Sequence, residues 1–324
     1  MKILCTGGSG FIGSHLIDRL STQTDELINI DIVKPKNHLH LRFWRDCNIL
    51  DLPRLQEIFG EVKPTHVIHL AARATTDGKS IDDFRDNTIG TSNVISAIQS
   101  CRSVERVIVT SSQHVRKPGS GNPKNDVDFF PHGFYGESKV ITEMVTREAN
   151  LECVWTIIRP TTVWGPNHPF LEKGLWRLMQ RGLYVHPKND HVLRSYGYVK
   201  NIAWLVVQLL KAPPIEINKK VFYLGDDPIN QTDWIDAFSM ALSGKNTYKV
   251  HPKIIFAIAI FGDLLEKIGL HIPMNSNRYF NLTTTNPVEI DRVIHQLGNS
   301  PFSFSEGIIE TVNWLKRQDR IEQQ

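Results

Sequence analysis

Tyr135 and Lys139, in the run Tyr135-Gly136-Glu137-Ser138-Lys139, carry the spacing that most directly suggests acid–base chemistry. Four residues apart on a helix, they share one face, one turn apart. A free tyrosine ionises near ~10, too high for a base at neutral pH. A neighbouring ammonium stabilises the phenolate, so the pair is expected to lower the Tyr135 pKa and to give or take a proton. Tyrosine and lysine at this spacing also occur by chance in helices that only fold, so the context decides. The Val/Ile run Arg106–Thr110 reads as a strand ending in Ser111-Ser112. In an open parallel sheet the carboxyl ends of strands line the ligand crevice. Ser112 can therefore hold a substrate oxygen beside Tyr135, or merely cap the strand.

A second constellation lies at the start of the chain. Strand Lys2–Thr6 runs into Gly7-Gly8-Ser9-Gly10-Phe11-Ile12-Gly13, and a helical pattern follows. Gly7 permits a tight turn, Gly10 removes a Cβ where backbone must approach a pyrophosphate, and Gly13 lets the helix pack closely on the sheet. The helix N-terminus then offers free N–H groups and a positive dipole end to phosphates. Asp31 ends the second strand, 18 residues beyond Gly13. A carboxylate there accepts the ribose hydroxyls of adenosine and repels a 2′-phosphate, which favours NAD over NADP. Lys34 and Lys36 just downstream weaken that preference.

These residues need a scaffold, and the chain supplies the pattern of one. Strands are expected at Lys2–Thr6, Leu27–Asp31, Thr65–Leu70, Arg106–Thr110 and Cys153–Arg159. They are apolar runs rather than alternating ones, as in a parallel sheet covered on both faces. Helical patterns lie between them near Phe11–Leu20, Asp51–Phe59, Ile89–Ser100 and Tyr135–Ala149. Beyond Pro160 turn residues cluster and further helices follow, near Leu171–Arg181, Asn201–Leu210 and Thr232–Leu242, with a late strand at Val221–Leu224. The fold class is thus α/β: a Rossmann doubly wound parallel sheet with a smaller, mostly helical C-terminal substrate lobe. The expected division is a cofactor domain over 1–165, to which segments near 192–225 return, and a substrate-binding lobe over 166–324.

Composition sets outer limits. Apolar residues make up 41% and charged residues 22%, with a net charge of +3, near the soluble globular average. The basic residues form no stripe, so nucleic acid is not an expected partner. Cys5, Cys47, Cys101 and Cys153 form no close pair, which argues against a metal site and for buried thiols. Met1 leading straight into an apolar strand implies a cytoplasmic protein without a signal peptide. The apolar run Ile254–Phe261 is too short to span a bilayer. It reads as a buried helix, with docking on a membrane surface as the alternative.

With those residues in hand, the chain resembles the extended short-chain dehydrogenase/reductases, in particular the NAD-dependent epimerase/dehydratase family acting on nucleotide sugars. The likeness covers nearly the whole chain in the family's order. It includes Thr6 to Gly13, Val67-Ile68-His69-Leu70-Ala71-Ala72, Asn87 with Gly90-Thr91 and Asn93, and Ser111-Ser112. It continues through Tyr135 to Lys139, Arg159-Pro160, Gly165-Pro166, and Ser305-Glu306-Gly307-Ile308 with Thr311-Val312 and Trp314. The resemblance implies Ser112, Tyr135 and Lys139 as catalytic residues, with Lys139 also gripping the nicotinamide ribose. It implies cofactor contacts from Gly7, Gly10, Phe11, Ile12, Asp31 and Asn87, adenine flanked by Asn48 and Ile49, a dinucleotide lined by Leu70, Ala71 and Ala72, and Pro160 near the nicotinamide. Thr75, Gln113, His114 and Thr162 fall at substrate positions. Arg194 falls where relatives place an arginine on the substrate diphosphate, with Arg278 a second candidate. A surface charge is the plainer reading of either arginine.

Several positions depart from the family pattern. Asn48 stands where relatives usually carry Asp, and Arg116-Lys117 where they carry Tyr-Gly. Gln113-His114 replaces the Asp-Glu pair of sugar 4,6-dehydratases, which disfavours elimination of water. Thr162 replaces an asparagine that often contacts the substrate in epimerases. The expected function is therefore an NAD-dependent epimerase or ketoreductase of a nucleotide-diphosphate sugar, a homodimer by analogy with relatives. Its rivals are a dehydrogenase of a sterol-like or other apolar alcohol, for which Arg194 is the discriminating residue, and a catalytically silent dinucleotide-sensing regulator.

Overall fold

The computed structural model describes all residues except 25, 170, 172–173, 190, 268, 271–273 and 323–324. Chain contacts divide it into two compact units. The first comprises Met1–Val163, Gly197–Asp226 and Glu289–Phe302; the second comprises Trp164–Tyr196, Asp227–Val288 and Ser303–Gln324.

The first unit is built on β1 (Ile3–Thr6), β2 (Leu27–Asp31), β3 (Trp44–Asp46), β4 (His66–His69), β5 (Arg106–Thr110), β6 (Val154–Pro160) and a last strand Lys220–Leu224. Their order across the sheet is Lys220–Leu224, β6, β5, β4, β1, β2, β3, and every neighbouring pair is parallel. The order reverses beside β1, and that switch point opens a crevice at the carboxyl ends of the strands. Residues of β1, β4 and β5 are almost wholly buried, which is why these strands read as unbroken apolar runs. The short edge strand β3 lacks such a run and escapes the sequence pattern.

Four helices of this unit bear on the site: α1 (Phe11–Leu20), α2 (Leu52–Val62), α3 (Thr91–Gln99) and α4 (Gly133–Glu148). Asp51 caps α2 by accepting from the Arg54 amide, and Lys63 ends it in the left-handed region. Leu55, Ile58 and Phe59 of α2 and Val94, Ala97 and Ile98 of α3 share one core with Leu4, Ile30, Val67 and Val107 from the sheet. A π-helical turn, Asp86–Gly90, leads into α3, where the pattern suggests continuous helix from Ile89. Such turns recur where a side chain must be re-aimed, and this one carries Asn87.

In the second unit, helix Gln231–Ser243 buries Trp234, Ile235 and Phe238. Trp164, Trp176 and Tyr196 pack around Trp234 and Phe238, and Phe304 packs on Trp164. The helix expected from Leu171 begins at Leu175, its residues 172–173 lying outside those described. One expectation fails outright. The apolar run at 254–261 forms a helix, Pro252–Glu266, yet only Ile255, Ala259 and Gly262 are buried along it. A segment apolar on every side looks interior from sequence alone, but a single stripe suffices to dock it. Cys5, Cys47 and Cys101 are buried free thiols and Cys153 is half-buried. Among the described residues no helix is long and apolar enough to cross a membrane.

A buried ion pair joins α4 to the sheet. Glu143, fully buried, accepts from Arg159 Nε at 2.7 Å and Nη2 at 2.9 Å, and from the Ser111 hydroxyl at 2.7 Å. Removing one partner of such a pair strands the other charge, at a cost of about 3–5 kcal/mol. Glu143→Leu is therefore expected to lose that much stability in urea unfolding, and adding Arg159→Met should recover most of it. A double variant as unstable as the sum of the singles would show that the stranded charge is not the cause.

Candidate active site

The glycine turn adopts its shape because side chains have no room there. Gly7 has φ +75°, and a Cβ on it would sit 2.6 Å from the Ala71 amide nitrogen. A Cβ on Gly13 would meet the Gly7 carbonyl oxygen at 2.2 Å. Gly10 is the N-cap of α1, with no capping side chain and no acidic residue in the first turn. Helix N–H groups without a side-chain cap are an anion site in waiting, so the turn fits the pyrophosphate of a dinucleotide.

Side chains behind the turn hold it in place. Asn29, buried in β2, accepts from the Gly8 amide at 2.8 Å and donates to the Ser9 hydroxyl at 3.1 Å. The Asp31 carboxylate accepts from the Ser9 amide at 3.0 Å and from Val33 at 2.9 Å. Its remaining lone pairs are free of these bonds, and a carboxylate has about four acceptor sites. Sequence reasoning missed Asn29; its signal was a polar residue inside an otherwise apolar strand.

Behind Leu70–Ala72 lies a buried polar relay. His69 Nδ1 is 2.7 Å from the Thr6 hydroxyl and Nε2 is 3.1 Å from that of Thr91. Burial, and after it the charge of Lys139, drives the His69 pKa down to about 3, so the ring stays neutral. Asn87 is fully engaged: its side chain accepts from the Arg73 amide at 2.8 Å and donates to the Arg73 carbonyl at 3.0 Å and the Ser138 hydroxyl at 2.9 Å. The structure thus shows Asn87 as a clamp between the Arg73 segment and α4. Asn48 is exposed in the turn between β3 and α2, its side chain accepting from the Leu50 amide. Ile49 is buried beneath Gly90, where a Cβ would meet its Cδ1 at 2.5 Å.

At the carboxyl end of β5 the three candidate catalytic residues come together. The Ser112 hydroxyl hydrogen-bonds the Tyr135 phenol and accepts from the His114 amide at 3.2 Å. The His114 ring meets Tyr135 edge-on, with centroids 5.5 Å apart. Gly136 allows the close approach, since a Cβ there would lie 2.5 Å from the His114 carbonyl oxygen. Lys139 is buried and donates from Nζ to the Thr110 carbonyl at 3.0 Å.

The electrostatics differ from expectation. Burial raises the Tyr135 pKa above its ordinary value, outweighing the Ser112 hydrogen bond. Burial also pulls Lys139 down to about 8, against the opposing charge of Glu143. Desolvation disfavours both charged forms and dominates the mutual effect that helical spacing suggested.

The remaining positions fall into two groups. Pro160 ends β6, and Gln113 donates from Nε2 to the Thr162 hydroxyl at 3.0 Å. Among the described residues of this region, three buried oxygens have no hydrogen-bond partner: Thr110 Oγ1, Gln113 Oε1 and Thr161 Oγ1. Thr75 accepts from Arg73 Nε at 3.1 Å. Arg194 and Arg278 belong to the second unit. Arg194 is buried and donates from Nη1 to the main-chain carbonyls of Asn281 and Thr284; Arg278 is exposed in the first turn of helix Ser276–Thr283. Among the described residues no group of three or more His, Cys, Asp or Glu could hold a metal ion.

A doubly wound sheet with an uncapped glycine turn and a Ser–Tyr–Lys set at its carboxyl edge defines a Rossmann-type oxidoreductase of the short-chain dehydrogenase/reductase class. Comparison with known proteins is in accord. A profile of the NAD-dependent epimerase/dehydratase family matches residues 3–225, and the chain belongs to that family, whose cofactor is NAD. The chain is similar to the UDP-glucose 4-epimerase of Vibrio cholerae, 28% identical over 96% of this chain and 94% of that protein. It is also similar to the 3 beta-hydroxysteroid dehydrogenase/Delta 5→4-isomerase of Vaccinia virus (strain Ankara), 23% identical over 97% of this chain and 98% of the other. The fold matches the crystal structure of Thermotoga maritima UDP-glucose 4-epimerase with UDP-glucose, with a TM-score of 0.76 at 21% identity, covering 98% and 99% of the two chains.

The buried lysine has a measurable consequence. A lysine in an unfolded chain titrates near ~10.4, whereas folded Lys139 titrates at about 8. Between those values the unfolded chain holds the extra proton, so this residue makes folding more favourable as pH rises from about 8 to about 10.4. Relative to Lys139→Met, wild-type stability should gain up to about 3 kcal/mol across that window. Chemical denaturation of both proteins at pH 7, 8, 9 and 10 measures it. A constant difference would place the Lys139 pKa near its ordinary value.

Proposed function

We propose that this protein is an NAD-dependent epimerase or ketoreductase of a nucleotide-diphosphate sugar. The observation that carries the reading is the Ser112–Tyr135 hydrogen bond with buried Lys139 one helical turn on, in the same unit as a glycine turn with no side-chain cap for its N–H groups. Bound NAD supplies the hydride acceptor. Gly7, Gly10, Phe11 and Ile12 hold its pyrophosphate, Asp31 the adenosine ribose, Asn48 and Ile49 the adenine, and Leu70–Ala72 and Pro160 the remainder. Asn87 acts through the backbone it clamps.

Ser112 orients the substrate hydroxyl, and Tyr135 exchanges its proton. Burial holds the phenol protonated, the form that donates to a ketone. Its use as a base requires the positive charge of Lys139 nearby, and Lys139 must leave the Thr110 carbonyl to grip the nicotinamide ribose. An epimerase would return the hydride to the opposite face of the ketone formed from its own substrate, whereas a reductase would draw the hydride from external NADH or NADPH to reduce a ketone substrate.

Thr75, Gln113, His114 and Thr162 are the candidates for contacts to the sugar. Arg194 and Arg278 are the candidates for its diphosphate. The protein acts as a homodimer joined through α4 and its neighbour, a reading supported by the exposure of Ile89 and Met144.

A second reading, oxidation of an apolar sterol-like alcohol, is favoured by one observation: Arg194 spends guanidinium donors on the main-chain carbonyls of Asn281 and Thr284. Thermal-shift and turnover assays with uridine, guanosine, thymidine and cytidine diphosphate sugars, each with NAD and NADP, separate the two. A nucleotide sugar should stabilise the protein in the presence of NAD. Arg194→Ala should then raise its KM by a factor worth roughly 1.5–3 kcal/mol, without weakening NAD. Turnover of a 3β-hydroxysteroid, with no response to any nucleotide sugar, would establish the second reading instead.

Tyr135→Phe keeps the ring and removes the proton carrier. Turnover is expected to fall by ~10²- to 10⁴-fold while calorimetric NAD affinity is retained. Near-wild-type turnover would exclude Tyr135 as the acid–base group and make His114 the next residue to test.

A further inference from the structure

Helix Pro252–Glu266, in the second unit, turns its apolar side outward. Projected at 3.6 residues per turn, its buried stripe is Ile255, Ala259 and Gly262. The opposite side carries Ile254, Ala257, Ile260, Phe261 and Leu264, flanked by Phe256 and Ile258. Phe261 is 58% exposed, Leu264 54% and Ile254 53%, and Leu270 continues the patch at 56%. Single exposed apolar residues need no explanation, but a contiguous patch of this kind marks an interaction surface.

The charges along the helix are sorted. Both of its carboxylates point to the docked side and are occupied there. Asp263 accepts from the Ser276 amide at 3.0 Å and from the Ser276 hydroxyl, and Glu266 accepts from the Asn275 amide group at 3.1 Å. The residues that share the outward side are cations: Lys253 in the first turn and Lys267 just past the last, both exposed. An apolar face about 22 Å long, free of carboxylates and bracketed by lysines, suits a layer that is apolar inside and anionic at its surface.

We infer that this face is a docking surface for an anionic lipid bilayer, which the helix enters side-on without crossing. Ile254, Ile260, Phe261 and Leu264 sink to the acyl boundary, while Lys253 and Lys267 reach back to the headgroup phosphates. A second copy of the chain fits less well. Two-fold pairing through this face sets Lys253 against the partner's Lys267 when the helices run antiparallel, and each lysine against its own counterpart when they run parallel. Either way like charges meet, with the carboxylates already engaged on the other side. The inference rests on the helix alone and is independent of the substrate.

Flotation of the full chain with vesicles tests it. The protein should float with vesicles of phosphatidylcholine containing phosphatidylglycerol, and less so as salt is raised. Phe261→Glu and Leu264→Glu should abolish flotation. Lys253→Gln and Lys267→Gln should each weaken it about five-fold. Because these side chains are exposed, unfolding temperatures should be unchanged. As a readout that does not depend on a disruptive variant, the emission of Phe261→Trp should shift to the blue on adding anionic vesicles. Absence of flotation together with an unmoved emission maximum in Phe261→Trp would overturn the inference, as would equal binding to phosphatidylcholine alone. A dimer in sedimentation velocity that Phe261→Glu converts to monomer, with no vesicle binding, would overturn it too and assign the face to a second copy.

Discussion

The ion pair between Glu143 and Arg159 is the constraint on which the site depends. α4 presents Tyr135, Lys139 and Glu143 at four-residue steps, so whatever fixes Glu143 fixes the rotation of the helix. Glu143 is held by Arg159 at the end of β6 and by Ser111 at the end of β5. Two strand ends and one helix face therefore meet at a single carboxylate. A charge buried without partners is prohibitively costly, so the helix cannot roll without stranding it. Ser112, one residue beyond Ser111, is brought to the phenol by the same contact, and the Lys139 ammonium feels the Glu143 charge that partly offsets its burial.

A second layer of buried polar groups supports the cofactor side of the crevice. Thr6, His69, Thr91, Asn87, Thr142 and Ser138 are tied together by short hydrogen bonds that leave little polar capacity unmet. Such networks rigidify what they hold when every member is satisfied. The contrast lies at the carboxyl edge, where Thr110, Gln113 and Thr161 keep acceptors without partners.

The outward helix of the second unit shows the same economy in reverse. Three small or branched residues are enough to dock it, and its carboxylates serve the cap of the following helix. Its bulk then remains available to something other than the core.

What the sequence determined on its own were the features set by local backbone geometry. Glycines at 7 and 13 are demanded within one turn. Tyr135 and Lys139 share a face because a helix has 3.6 residues per turn, and apolar runs between helical patterns imply a parallel sheet. The fold, and the placing of Tyr135 and Lys139 on one helix near the carboxyl end of β5, were legible for that reason. What only the tertiary structure decided were matters of long-range partners and of burial. Asn87 resembles a ligand contact until its amide is seen spent on Arg73 and Ser138. Asn29 gains its role only when β2 lies beside the glycine turn. Tyr135 is raised rather than lowered because desolvation depends on everything around it, which four-residue spacing does not encode. The helix at 252–266 looked interior because apolar residues on all sides carry no direction; the direction comes from which stripe its neighbours cover.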